Sequence, residues 1–155
     1  MREAKLAIQI FTAPETNLFL FAFLVNFVYE VWQSPYFEFY QMPSLADKVN
    51  YINHCTVGDG IITVICYWIL GLLQRDRHWI FAPTWKLTLL FTSLGWIYTL
   101  VSEIYRVQVA KLYGVSVLVV PSMGISWLPL LQWVILPPIV LFLTRRQMLG
   151  YRNID

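Results

Sequence analysis

Charged side chains are scarce in this chain: Asp, Glu, Lys and Arg make up 13% of its 155 residues, against about a quarter in soluble domains. That shortage excludes an ordinary soluble globule and leaves a membrane protein as the class. The net charge is only +2. No basic stripe with interleaved aromatics occurs, so nucleic acid is not expected as a partner. Cysteine is nearly absent. Cys55 and Cys66 on one helix would stand about 16 Å apart, at about 1.5 Å rise per residue. A disulfide between them is not expected, and the two thiols leave the compartment unread. No Ser-His-Asp pattern, Gly-rich phosphate loop or metal-ligand spacing is found, and no cofactor or metal is expected. Internal repeats, low-complexity tracts and long linkers are lacking too. The opening MREAKLAIQIFTAPE has an apolar patch, but Pro14 and Glu15 interrupt it. No small-residue cleavage site follows, so no signal peptide is expected.

What is present is apolar. Hydrophobic residues make up 58% of the chain, with seven Trp and nine Tyr, many of them near the ends of apolar runs, where an aromatic belt places them. A bilayer-spanning helix needs about 20 mainly apolar residues, and four stretches qualify: roughly 16–36, 55–73, 85–105 and 125–143. The expected fold is all-α, a polytopic membrane protein forming one four-helix transmembrane bundle over residues 1–155. Eight of the eleven Lys and Arg residues flank the ends shared by both termini and the second loop. By the positive-inside rule both termini are expected to be cytoplasmic, in a bacterial inner membrane or the endoplasmic reticulum. The two longer loops, about 37–54 and 106–124, then face outward.

Within that topology the polar residues gather in the outer half. Asn26, Glu30 and Gln33 share one helix face. Asp59, Thr63 and Cys66 repeat that spacing, and Trp96, Thr99 and Glu103 follow it on the third span. Gln132 and Trp133 stand at similar depth on the fourth. Ionisable residues inside a bilayer are costly and usually face the bundle interior or a wet cavity. The pattern predicts a polar-floored, aromatic-walled pocket. Each residue also has a plainer role open to it. Glu30 and Gln132 would serve as hydrogen-bonded links between helices. Asp59, in the GDG near the expected helix start, would complement the helix dipole. Glu103 would pair with Arg106 or snorkel. Cys66 would simply pack, and Pro129, Pro137 and Pro138 would shape the fourth helix.

The motifs in this layout resemble those of the emopamil-binding-protein, or EXPERA, superfamily, which includes sterol Δ8–Δ7 isomerase and the sigma-2 receptor. The resemblance rests on NFVYE (Asn26 to Glu30), TVGD ending at Asp59, GWIY (Gly95 to Tyr98) and WVILP (Trp133 to Pro137). It covers the four spans, roughly 18–143. It implies a four-helix membrane fold with a pocket for sterols or lipophilic amines. Three positions depart from the family pattern. Asn26 stands where the isomerase has a His, Asp59 replaces a Glu, and Leu130 stands where an Asn precedes the Trp, with Gln132 nearby. The chain is also similar to bacterial four-span membrane proteins of no assigned function that share a PLLQW…LPP last helix.

These readings leave three functions open. The first is an intramembrane isomerase or cyclase acting on a sterol or isoprenoid, with Glu30 and Asp59 as its catalytic pair. Such chemistry protonates an alkene and stabilises a carbocation, so it needs a protonated acid, a partner carboxylate and aromatic faces. Asn26, Gln33, Trp96, Tyr98, Glu103, Gln132 and Trp133 would line the substrate. The second is a non-catalytic lipid or sterol binder of the same fold. The third is an accessory subunit of a larger membrane complex. The expected partner is a membrane lipid or hydrophobic small molecule, with a homodimer or larger assembly left open.

Overall fold

The structure, a computed structural model, describes residues 12–115 and 117–152. Four helices run antiparallel in sequence: α1 (Pro14–Gln33), α2 (Leu45–Gln74), α3 (Trp85–Ile104) and α4 (Trp127–Arg152). α1 packs on α2 and α4, and α4 packs on α3, whereas α2 and α3 meet more lightly. All four are long and apolar enough to cross a membrane. Their outward faces carry Leu24, Val28, Trp32, Leu72, Leu89, Val101 and Phe142, all exposed. That surface suits a bilayer, where lipid takes the place water has around a soluble fold. The fold is an all-α four-helix bundle.

Local chemistry explains the helix ends. Pro14 starts α1, where its missing N–H costs nothing and its fixed φ suits a first turn. Ser44 caps α2 by accepting from the Asp47 backbone N–H at 3.0 Å. That cap starts α2 ten residues before the apolar run, so the helix has 30 residues. The expected start at Cys55 is corrected accordingly. The cap decides where a helix begins, whereas hydropathy marks only the part that lipid covers. Asp59 therefore lies mid-helix, and no dipole role at an N-terminus is open to it. At about 1.5 Å per residue α2 is about 45 Å long, longer than a hydrocarbon core of about 30 Å. Thr84 caps α3 by accepting from Leu87 N–H at 3.3 Å, and α3 runs on into a π-helical turn, Tyr105–Val109. α4 continues past the expected end at Leu143 to Arg152 and carries Pro137 and Pro138 in its interior.

The two ends of the bundle differ. We call the end with the α1–α2 and α3–α4 connections distal, and the other proximal. The proximal half is dry and dense. Leu18, Tyr67, Leu70, Trp79, Ile80, Phe91 and Val140 make one core there. At the distal end the connections meet in a two-stranded antiparallel ribbon, β1 (Phe37–Glu38) with β2 (Gly114–Val115). A smaller cluster of Val120, Ile125 and Leu130 seats the α3–α4 connection, with Trp96 and Leu100 packed against it. Between the two cores lies a cavity.

Candidate functional site

The cavity has a volume of about 120 Å³, and all four helices line it. Its floor comes from α1, α2 and α4. The stripe Leu18, Ala22, Asn26, Glu30 and Gln33 faces inward at helical spacing. Phe19 seats against Gly60 of α2, where an added Cβ would come within 2.8 Å of the ring. This close contact draws α1 and α2 together beside Asp59.

Gln132 organises the floor. Its Nε2 donates to Asn26 Oδ1 at 2.7 Å, to Asp59 Oδ2 at 3.1 Å and to Glu30 Oε1 at 3.3 Å. An amide nitrogen has two hydrogens, so it serves two of these three acceptors at a time. Its orientation is fixed from the other side, because Gln132 Oε1 accepts from Gln33 Nε2 at 3.2 Å. Asn26 is fixed in turn, its Nδ2 donating to the Ala22 carbonyl at 2.8 Å. Asn26, Gln33 and Gln132 are almost wholly buried. Glu30 and Asp59 keep partial exposure because they front the cavity. The Trp133 indole also faces Asp59. Its ring lies flat against α3 at Gly95, where a Cβ would come within 1.9 Å of Cζ3. Only glycine permits that approach.

The distal wall is aromatic. The Tyr113 ring packs edge-on against Phe37, Phe39 and Tyr51 at centroid distances of 5.3, 5.9 and 6.0 Å. The Tyr113 hydroxyl donates to Glu103 Oε1 at 2.6 Å. Burial, and then the neighbouring Glu103 carboxylate, holds the Tyr113 phenol above its ordinary range, so it remains a donor. Arg106 Nη1 stands 3.8 Å from the same Glu103 oxygen. On α3, Trp96 and Leu100 turn toward the Leu130 cluster, while Phe91 and Leu87 join the proximal core. Tyr98 lies on that second flank, half exposed, and also lines the cavity. The lightly packed α2–α3 seam is thus the cavity's lateral side.

Most of the residues singled out in the sequence converge here. Glu30, Asp59, Gln33, Tyr98, Glu103, Gln132 and Trp133 all line the cavity. Asn26 lies beneath it and reaches it through Gln132. Trp96 is not in the lining; it packs under the α3–α4 connection, against the cluster of Val120, Ile125 and Leu130. Thr63 returns its hydroxyl to the Asp59 carbonyl at 2.7 Å, and Cys66 belongs to the dry core. Cys55, four residues before Asp59 on α2, joins the lining. Nothing in the local pattern of Tyr113, Phe37 and Phe39 marks them as site residues, since the distal ribbon brings them in. Among the described residues no group of three His, Cys, Asp or Glu side chains is placed to hold a metal. Comparison of the chain with family models, with curated proteins and with solved structures returns no match.

Proposed function

We propose that this protein carries out acid–base isomerisation or cyclisation of a sterol- or isoprenoid-type lipid within the membrane. The observation that carries the reading is the sharing of one amide nitrogen by two carboxyl groups, Glu30 and Asp59, on the floor of an aromatic-walled cavity. Two carboxyls so placed suit a single proton held between them. Glu30 has the longest of the three contacts to Gln132 and is the one that this amide leaves out when Asn26 and Asp59 are served. It is therefore the acid that protonates an alkene carbon. Asp59, steadied by Gln132 and Trp133, is the base that removes a proton from the neighbouring carbon. The proton count balances, and the double bond moves. The Trp133 and Tyr113 rings offer π-faces to the intervening cation.

Size and shape fit a lipid only in part. Drug-sized ligands fill pockets of about 300 Å³ or more, so a cavity of about 120 Å³ takes the reacting end, and the remainder leaves through the α2–α3 seam. The resemblance to the EXPERA superfamily supports the same substrate class. The distribution of Lys and Arg supports cytoplasmic termini, with the distal end outward.

A second reading has its own support. Asn26, which stands where the isomerase has a proton-carrying His, is spent on two structural hydrogen bonds. A non-catalytic lipid binder needs no more than that. One experiment separates the two. The purified protein is incubated in D2O with its co-purified lipid, and deuterium incorporation is read by mass spectrometry, for wild type and Glu30→Gln. Catalysis predicts incorporation that the variant loses while retaining its fold and lipid. Bound lipid without incorporation supports the binder. Undiminished incorporation in the variant ends the catalytic reading.

A further inference from the structure

The distal end of the cavity has polar capacity that the acid–base chemistry does not use. Arg106 lines the cavity, and its side chain is 27% exposed. Its nearest carboxylate oxygen is 3.8 Å away, outside hydrogen-bond reach. The guanidinium, a five-donor group, thus lines the cavity ion-paired at a distance but with no hydrogen-bond acceptor shown among the described residues. Beside it, Glu103 is 3% exposed, and its Oε1 is taken by Tyr113. Its second oxygen, Oε2, is buried without a partner. A buried polar atom left unpaired costs about 1–3 kcal/mol; Oε2 is closed off as the cavity stands, and a turn of the Glu103 carboxyl, which lines the cavity, presents it to a ligand group.

An unfilled donor beside an unfilled acceptor defines the complement. A carbonyl or ether oxygen would satisfy Arg106 and leave Glu103 Oε2 empty. A carboxylate or phosphate would satisfy Arg106 but sit against Glu103, in a cavity that also holds Glu30 and Asp59. An ammonium group would satisfy Glu103 and oppose Arg106. A hydroxyl does both, accepting from the guanidinium and donating to the carboxylate. We infer that the Arg106–Glu103 corner is a hydroxyl-binding subsite and that the ligand is a lipid alcohol. Its oxygen lies toward the distal end and its hydrocarbon toward Glu30 and Asp59. This rests on the lipid reading of the cavity and narrows it to one head group and one orientation.

The test uses the full-length protein in nanodiscs and a graded set of probes: farnesol, its methyl ether, farnesene and farnesoic acid. Cholesterol and cholestane form a second alcohol–hydrocarbon pair and distinguish a sterol from an isoprenoid. Affinity is read by intrinsic tryptophan fluorescence, since Trp133 lines the cavity. A hydrogen bond to a charged group corresponds to about tenfold or more in affinity. In at least one series the alcohol should therefore bind at least tenfold tighter than the hydrocarbon. In the farnesyl series the ether should fall between them and the acid below the alcohol. Arg106→Met should reduce the alcohol preference to less than threefold while leaving hydrocarbon affinity in place. The wild-type series stands alone if that variant misfolds. Alcohol and hydrocarbon binding alike in both series would overturn the subsite and leave the lipid cavity standing. Tighter binding of the acid than of the alcohol would overturn the hydroxyl assignment. Failure of every probe to bind would overturn both inference and cavity reading.

Discussion

Removing the Gln132 amide should cost far more than a surface substitution, although Gln132→Leu roughly keeps the side chain's size. The side chain is 2% exposed, and its amide joins α4 to α1 and α2 through four contacts. Leucine leaves the deeply buried Asn26 Oδ1 without a partner and takes from Gln33 Nε2 its acceptor on α4. An orphaned group costs about 1–3 kcal/mol. Hydrogen bonds between membrane helices average only about 0.6 kcal/mol by double-mutant cycle, because neighbours find substitutes. Glu30 and Asp59 front the cavity and can turn to water, so they add little. We expect a net loss of about 2–4 kcal/mol. Reversible unfolding in mixed SDS micelles measures it. A cycle with Asn26→Leu isolates the shared bond, and the double variant should fall short of additivity by about 1 kcal/mol. A loss under about 0.5 kcal/mol, as for a surface contact, or strict additivity would show that the amide does not organise the floor.

Further outcomes follow from other contacts. Gly95→Ala forces a methyl into the Trp133 ring and should destabilise the bundle by about 1–3 kcal/mol; a fully stable Gly95→Ala protein with unshifted tryptophan emission would refute the contact. Tyr113, raised in the folded state, keeps its proton where the unfolded phenol loses it. Its contribution to stability is therefore whole below about pH 10 and lost as pH rises above that, at about 1.4 kcal/mol per unit. Unfolding titrations of wild type and Tyr113→Phe should be offset by a constant amount below that pH and converge above it, and curves that stay parallel above it would count against the assignment. In a background without Cys55 and Cys66, Ser122→Cys should react with an impermeant maleimide from outside the cell and Arg75→Cys only after lysis; the reverse pattern would invert the topology. Glu15→Gln breaks a two-pronged ion pair with Arg77, but Arg77 is 65% exposed. The loss should stay under about 1 kcal/mol in the same micelle assay.

The fold was largely readable because its signals are local. Apolar length marks four spans, and the i, i+4, i+7 spacing of Asn26, Glu30 and Gln33 marks an inward face. The convergence of Glu30, Asp59 and Gln132 was readable too, since buried polar groups in lipid must meet one another. Other features depend on contacts distant in sequence. Asp59 looked like a first-turn residue because the apolar run begins near Cys55, whereas the Ser44 cap sets the true start. Trp96 looked like a wall because it shares a face with Glu103, yet one flank of α3 belongs to the α3–α4 connection. Tyr113 and Phe37 reach the site only because the two connections pair at Phe37–Val115 and Glu38–Gly114. No periodicity in either segment announces that pairing.

The consecutive prolines of α4 have a mechanical consequence. Neither Pro137 nor Pro138 has an N–H, so the carbonyls of Trp133 and Val134 lose their partners four residues on. The helix is therefore weakest immediately proximal to Gln132 and Trp133. Beyond that point Arg145 ties the proximal segment to the Phe81 carbonyl at 2.9 Å. The segment of α4 that carries Gln132 and Trp133 is therefore joined to the segment in the proximal core by two fewer backbone hydrogen bonds than an unbroken helix supplies. The cavity floor depends on its side-chain contacts to α1 and α2, more than on the helix itself, for its position.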